Sequence, residues 1–293
     1  MKIKYFWDRI KYEITKEIIF KRHHGYKMSI KSPTTFSEKI FYRKYYGNND
    51  FMAVIADKLK VREYVRDKVG EEFLIPLISV HKKLQLEDIY NLPNEFIIKS
   101  NHGSGSEHLE IVRNKKGLST DELSAIIEKM NLSIDSRKGA VGHELFYERI
   151  ERRIIIEKLL RCSDGKSPND YKFHVFKNGP TFIQVDSGRY VDHKRTIYNE
   201  LWEKEHFKLN PKYDYIEESE KPMNFDKMLK IAKKLAEDFD YVRVDLYNIE
   251  GKIFFGELTQ THGNGLEKFE PSKFDYIWGS FWDLDVENKT LYK

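Results

Sequence analysis

The strongest constraint lies near the C-terminal end, where a helical stripe runs directly into two alternating strands. Met228, Leu229, Ala232, Leu235, Ala236 and Phe239 recur at three- and four-residue steps, which predicts a helix over 225–239. YVRVDLY (241–247) and KIFFGELTQ (252–260) then flank Asn248-Ile249-Glu250-Gly251, a hairpin signal. Alternate strand residues share a face, so Arg243, Asp245 and Tyr247 lie together, as do Glu257 and Thr259. A three-residue loop over 249–251 with Gly251 left-handed would pair 245 with 255 and 243 with 257. Asp245 and Glu257 would then be diagonal neighbours, on the order of 7–8 Å apart. A four-residue loop would send them to opposite faces. Two carboxylates at that spacing suit a hard cation. They suit equally an internal ion pair with Arg243, because the surrounding Val, Leu, Ile and Phe leave a buried charge in need of a partner.

Elsewhere the periodicity predicts a helix over about 50–68, a helical turn at 88–90, a strand at 95–100 and a helix over 120–130 capped by Ser119 or Thr120. The run 152–160 reads as a buried strand with a charged exit. KFHVFK and TFIQVDS form a second hairpin around Asn178-Gly179-Pro180, and 190–222 reads as a long loop. Helices against mostly antiparallel strands predict an α+β protein of several lobes: a basic helical segment over 1–50, a lobe over 51–150 and a lobe over 151–293.

Composition excludes several classes. With 40% hydrophobic residues the chain can bury a core, and no apolar run is long enough to span a bilayer. A net charge of +4 gives no argument for nucleic acid. Cys162 is the single cysteine, which excludes an intrachain disulfide or a cysteine zinc cage and fits a reducing, cytoplasmic setting. The start, MKIKYFWDRIKYEI, lacks the apolar core and cleavage site of a signal peptide. Over 1–30, eight basic residues face three acids while Ile3, Phe6, Trp7, Ile10, Ile14, Ile18 and Ile19 recur at helical spacing. That helix either packs on the body or rests on anionic lipid at the inner face of a membrane.

Two further segments have the makings of a nucleotide site. Lys99 ends a predicted strand and is followed by Asn101-His102-Gly103-Ser104-Gly105-Ser106. Small residues let backbone N–H groups approach phosphate, although an ordinary turn has the same composition. No Gly-Lys-Ser/Thr closes the loop, so it is not a P-loop. Ile154-Ile155-Ile156-Glu157-Lys158-Leu159-Leu160 could read adenine through exposed main chain beside an apolar wall, or be a plain core strand.

In this order the segments resemble the ATP-grasp superfamily, and Asp57-Lys58 ahead of the lysine strand resembles its common helix start. More closely, DKLKVREYV (57–65), LPNEFIIKSNHGSGS (92–106), NDYKFHVFKNGP (169–180) and YVRVDLYNIEGKIFFGELTQTHGNGLEKFEP (241–271) resemble the TupA-like ATP-grasp family of polysaccharide biosynthesis, over roughly 30–282. The resemblance implies two α+β lobes clasping ATP, with Mg²⁺ or Mn²⁺. Lys58, Lys99, Gly103, Ser104 and Gly105 would hold the phosphates, and Glu157, Lys158 and Leu160 the adenine hinge. Asp170 would meet the ribose, and Lys172 a phosphate. Arg195, with Arg189 and Lys194, would serve the phosphate end or an acidic sugar. Asp245, Glu257 and Thr259 would hold metal, and Arg243 the acyl phosphate. Thr259 stands where the superfamily usually has Asn, and His262, where a proline is usual, would face the acceptor.

The implied activity is an ATP-dependent carboxylate–amine ligase. It would couple an amino acid or amine to a uronic carboxylate on an acidic glycan or on a nucleotide- or lipid-linked sugar acid. A glycosyltransferase would more often carry a close DxD on a loop; a sugar kinase could use the same nucleotide site.

Overall fold

A computed structural model of the 293-residue chain describes residues 2–103, 105–188, 193–217 and 219–293. Four helices open it: α1 (Lys2–His24), α2 (Phe36–Tyr46), α3 (Asn49–Ala56) and α4 (Val61–Val69). The expected single helix over 50–68 is two. Asp57 breaks it: its carboxylate accepts from the Leu59 N–H at 2.9 Å, a local bond that competes with continuing the helix. Helix α2 begins in a capping box, with Thr35 accepting from the Glu38 N–H and Glu38 accepting from the Thr35 N–H.

The next segment holds β1 (Leu77–His81), α5 (Leu86–Tyr90), β2 (Phe96–Ser100), β3 (Leu109–Val112), α6 (Thr120–Ser133), α7 (Lys138–Val141) and β4 (Ile154–Glu157). Its strands form an antiparallel sheet in the order β1-β4-β2-β3. Ser119 caps α6. Phe96, Ile98, Ile154 and Ile156 pack against Leu123 and Met130 of α6, so Ile97, Lys99, Ile155 and Glu157 point to the other face. The sheet is complete only with β4, so its last strand comes from beyond residue 150.

The remainder builds β5 (Asp170–Phe176), β6 (Thr181–Ser187), β7 (Lys194–Tyr198), β8 (Lys208–Leu209), α8 (Phe225–Ala236), β9 (Tyr241–Ile249), β10 (Lys252–Thr259), β11 (Phe269–Glu270) and α9 (Lys273–Ser280). A five-stranded antiparallel sheet runs β10-β9-β5-β6-β7. Strand β7 falls inside the expected long loop. It escaped notice because its buried residues include Arg195 and Thr196, so it lacks an apolar alternation. One face of this sheet, with Tyr171, Phe173, Val185, Val242, Val244 and Leu246, packs on α8 and on Val61 and Val65 of α4. Phe36 and Ile40 of α2 join Trp278 and Trp282 against the same lobe. The helical segment over 1–50 is thus not a body of its own at its C-terminal half: α2 is part of the large lobe's core.

Candidate active site

The site begins with how β9 turns into β10. The turn is two residues, not three: Glu250 (φ 53°) and Gly251 (φ 90°) are both left-handed, and Lys252 pairs with Ile249. Continued unbroken, that register would put Asp245 and Glu257 on opposite faces. A bulge at Gly256 restores them, because Phe255 pairs with Leu246 but Glu257 pairs with Asp245 and Thr259 with Arg243. A Cβ at Gly256 would stand 3.1 Å from the Asp245 carbonyl oxygen, which favours glycine at this closely packed position.

Arg243 is the hub of the resulting cluster. Its Nε and Nη2 donate to the two oxygens of Asp245 at 2.6 and 2.7 Å, and Nη2 donates to Glu257 Oε1 at 2.8 Å. Its Nη1 lies 2.7 Å from His262 Nδ1, which therefore accepts, and His262 Nε2 donates to Glu267 Oε2 at 2.7 Å. Arg195 links Glu267 to Asp186, with contacts of 3.2 and 2.7 Å. Lys172 lies 3.5 Å from Asp186 and 3.6 Å from Asp245, and it also donates to Asp170. These contacts close a ring: Arg243, Asp245, Lys172, Asp186, Arg195, Glu267, His262 and back to Arg243. The alternation of DYKFHVF against FIQVDS places its middle members on one face, opposite the apolar core.

Burial pushes the Asp245 carboxyl up to about 7, against Arg243 and Lys172 and with the help of Glu257 and Asp170. Burial also pushes Glu257 up, but Arg243, Lys58 and Lys172 outweigh it and hold Glu257 at about 2. His262 is pushed down by burial and stays neutral, as its accepting Nδ1 requires.

Two cavities adjoin this framework. One, of about 310 Å³, is lined by Lys58, Gly103, Glu144, Arg243, Glu257 and Thr259 among others. The other, of about 480 Å³, has apolar walls from Ile97, Leu109, Ile111 and Leu160, with Lys99, Lys158 and Asp170 at its edge. Lys99 Nζ donates to Glu157 at 2.9 Å, and Arg62 donates to the other Glu157 oxygen at 3.0 Å. Lys58 Nζ donates to the Gly103 carbonyl at 2.5 Å, which ties the glycine loop to the start of α4. A Cβ on Gly103 would strike the His108 ring, so glycine is needed there, whereas Gly105 (φ +86°) faces open space. Ser104 and Arg189 lie outside the described residues.

Apart from Gly105 and Glu157, which pairs with Lys99, the expected residues among those described fall into three groups. Lys58, Gly103, Arg243, Glu257 and Thr259 line the smaller cavity; Lys99, Lys158, Leu160 and Asp170 line the larger. Asp245, Lys172, Arg195 and His262 sit in the buried ring. His262 does not face an acceptor: it is 2% exposed and holds the far side of Arg243. Lys194 starts β7 at the sheet edge. Sequence reasoning missed Asp186, Glu267, Arg62 and Glu144. The polar alternation of β6 would have revealed Asp186; no local pattern marks the others.

The donor set fits a hard divalent cation. Asp245, Glu257 and Thr259 offer oxygen only, Thr259 Oγ1 lies 3.0 Å from Glu257 Oε1, and the Glu257 side chain is 42% exposed at the cavity. Among the described residues no group of three His, Cys, Asp or Glu forms a cage, so such an ion would take its remaining ligands from phosphate and water.

A family profile described as TupA-like ATPgrasp matches residues 38–282, most of the chain. The chain belongs to the TupA-like ATP-grasp family. A search of the curated proteins finds no match. Among solved structures the TupA-like chain is similar to a D-alanine–D-alanine ligase from Bacillus anthracis, at 17% identity and a TM-score of 0.40, over 73% of this chain and 59% of that one. It is also similar to a RimK-domain ATP-grasp protein from Sphaerobacter thermophilus, at 10% identity and a TM-score of 0.41, over 80% and 68%. The chain spans about three fifths of the length of the D-alanine ligase. These TM-scores lie below 0.5, so residue roles rest on this chain's own geometry.

Proposed function

We propose that the TupA-like chain is an ATP-dependent ligase that activates a carboxylate as an acyl phosphate and passes it to an amine. The carrying observation is Arg243, fixed on the face that the Gly256 bulge shares with Glu257 and Thr259, in the wall of a cavity that Lys58 also lines. Three of the five Arg243 N–H groups go to carboxylates and one to His262, which leaves one for the cavity. That donor can meet charge developing on a substrate oxygen without any ion pair being broken.

The apolar walls around Ile97, Leu109 and Leu160 suit a purine, and Lys99 and Lys58 suit the phosphates. A substrate carboxylate oxygen attacks the γ-phosphorus, the bond to the β-bridging oxygen breaks and ADP leaves. The amine then attacks the acyl carbon, phosphate departs and the nitrogen gives up a proton. Mg²⁺ held by Asp245, Glu257 and Thr259 would neutralise phosphate charge when bound. Lys58 and the remaining Arg243 N–H are the groups of the small cavity that would meet an acidic substrate, beside Glu144 and Glu257. A uronic carboxylate of a cell-surface polysaccharide, coupled to an amino acid or amine, is the substrate pair this reading favours.

The test is interception. With ATP, Mg²⁺ and a panel of uronic-acid glycans, hydroxylamine should give a hydroxamate, ADP and phosphate. Stable sugar phosphate would establish a kinase instead, and AMP would establish an adenylate route. Turnover of a sugar nucleotide without ATP would establish a glycosyltransferase.

A further inference from the structure

Helix α1 keeps one side for the protein and leaves the other bare. Phe20 is fully buried against Phe41 and Tyr26, Lys16 lies over the Tyr45 ring, and His24 Nε2 is 3.0 Å from the Gly265 carbonyl oxygen. Tyr12, Lys16, Phe20 and His24 thus form the inner face. On the other side Phe6, Trp7, Ile14 and Ile18 are 59%, 61%, 72% and 69% exposed. Trp7, Ile14 and Ile18, at steps of seven and four, form one stripe along the helix. Among the described residues no helix is long and apolar enough to cross a membrane.

We propose that this outer face of α1 lies on the surface of an anionic lipid bilayer. Charge decides the occupant. Arg9, Lys11, Lys21 and Arg22 are exposed on the helix, and Lys27 and Lys31 follow it. Of the acids on α1, Glu13 is taken up by Tyr45, Lys16 and His143, Asp8 is half-buried and Glu17 is exposed. An apolar stripe with Trp near one end, bordered by lysine and arginine, matches the boundary between anionic headgroups and acyl chains. A second copy of the same helix would bring these like charges together, which disfavours self-association through this face.

The placement has a consequence for the site. The inner face of α1 supports the segments that border the small cavity: His143 stacks on Tyr45 at 3.8 Å and meets Glu13, and Lys44 joins Tyr12 to the Asn264 carbonyl. Glu144 and Asn264 line that cavity. A helix about 10 Å across would then separate lipid from the cavity wall, within reach of an acceptor carried on a lipid.

Co-sedimentation of the full chain with vesicles tests this directly. Binding is expected to phosphatidylglycerol vesicles and not to phosphatidylcholine vesicles, and to weaken as salt rises. Ile14→Lys with Ile18→Lys should abolish it. Lys11→Glu, Lys21→Glu and Arg22→Glu together should weaken it by at least about a hundredfold. Emission from Trp7, read as wild type minus Trp7→Phe, should shift to the blue only with anionic vesicles. Nucleotide binding should be unchanged in all these variants. Equal binding to both lipids, or binding that survives the Ile14/Ile18 change, overturns the proposal. A wild-type dimer that the Ile14/Ile18 change splits, without lipid binding, assigns the face to a second copy.

Discussion

The two sheets bury charge in different ways. On the cleft face of the small sheet, Glu157 holds Lys99 and Arg62 on separate oxygens, and neither cation depends on the other. On the corresponding face of the large sheet, a single cation, Arg243, is shared by Asp245, Glu257 and His262 within a closed ring. The first arrangement can release a cation to an incoming anion and keep its carboxylate paired. The second cannot lose a member without stranding a buried charge. One sheet is thus built to exchange partners with a ligand and the other to hold a fixed field, which is what phosphate capture and stabilisation of developing charge respectively require.

The largest expected effect breaks the ring at its hub. Arg243→Met leaves Asp245 and Glu257 without their shared cation and should cost about 3–5 kcal/mol of stability, measured by chemical denaturation. Hydroxamate trapping should be lost in the fraction that remains folded. A cost near that of a surface ion pair would show that the ring is not a unit.

Acid should separate the two regions next. His102, in the loop leaving the small sheet, is pushed down to about 3 by burial and by Arg152, whose Nη1 lies 2.8 Å from its Nε2. The unfolded chain takes up that proton near pH 6.5 and the folded one does not. The His102 contribution is therefore complete above about pH 6.5 and is lost as pH falls toward 3. In the large sheet burial pushes Asp186 up, but Arg195 and Lys172 outweigh it and hold it below the ordinary carboxylate range. Its contribution persists until the pH falls below about 4. Between pH 6.5 and 4.5, then, His102→Asn should flatten the decline of stability by up to about 1.4 kcal/mol per pH unit, while Asp186 keeps its charge and Asp245, held near 7, takes up its proton in wild type and variant alike. An unchanged slope in the variant would place a charged His102 in the folded protein.

Why the β2–β4 pair was more legible than the ring, while β1 and β3 went unpredicted, follows from the same contrast. Phe96, Ile98, Ile154 and Ile156 announce a buried strand pair by apolarity, and Lys99 with Glu157 sits at recognisable ends. The α8 stripe and the β9–β10 pairing were equally plain. The ring was not. Strand β7 hides its burial because Arg195 is neutralised by Asp186, on the neighbouring strand, and by Glu267, far away in sequence. The hairpin shows how a correct face can come from an incorrect register. Loop length was misjudged by one residue, and the Gly256 bulge, which glycine permits but does not announce, supplied the compensating residue. His262 was read as facing a substrate because its partner Glu267 is a tertiary contact with no motif around it.

The smallest effect on stability should come from the small sheet, and it sharpens the contrast most. Lys99→Met removes one cation from Glu157 and leaves Arg62 at 3.0 Å, so no carboxylate is stranded. The expected loss of stability is about 1 kcal/mol, the net value of one such contact. ATP affinity should fall far more in proportion, by at least about tenfold, because a charged hydrogen bond to phosphate is worth roughly 1.5–3 kcal/mol. Calorimetric titration of ATP into the folded variant separates the two. Unchanged affinity removes Lys99 from the nucleotide site. A stability loss as large as that of Arg243→Met would show that Glu157 depends on Lys99 as Asp245 depends on Arg243, and the distinction between an exchangeable sheet and a fixed one would fall.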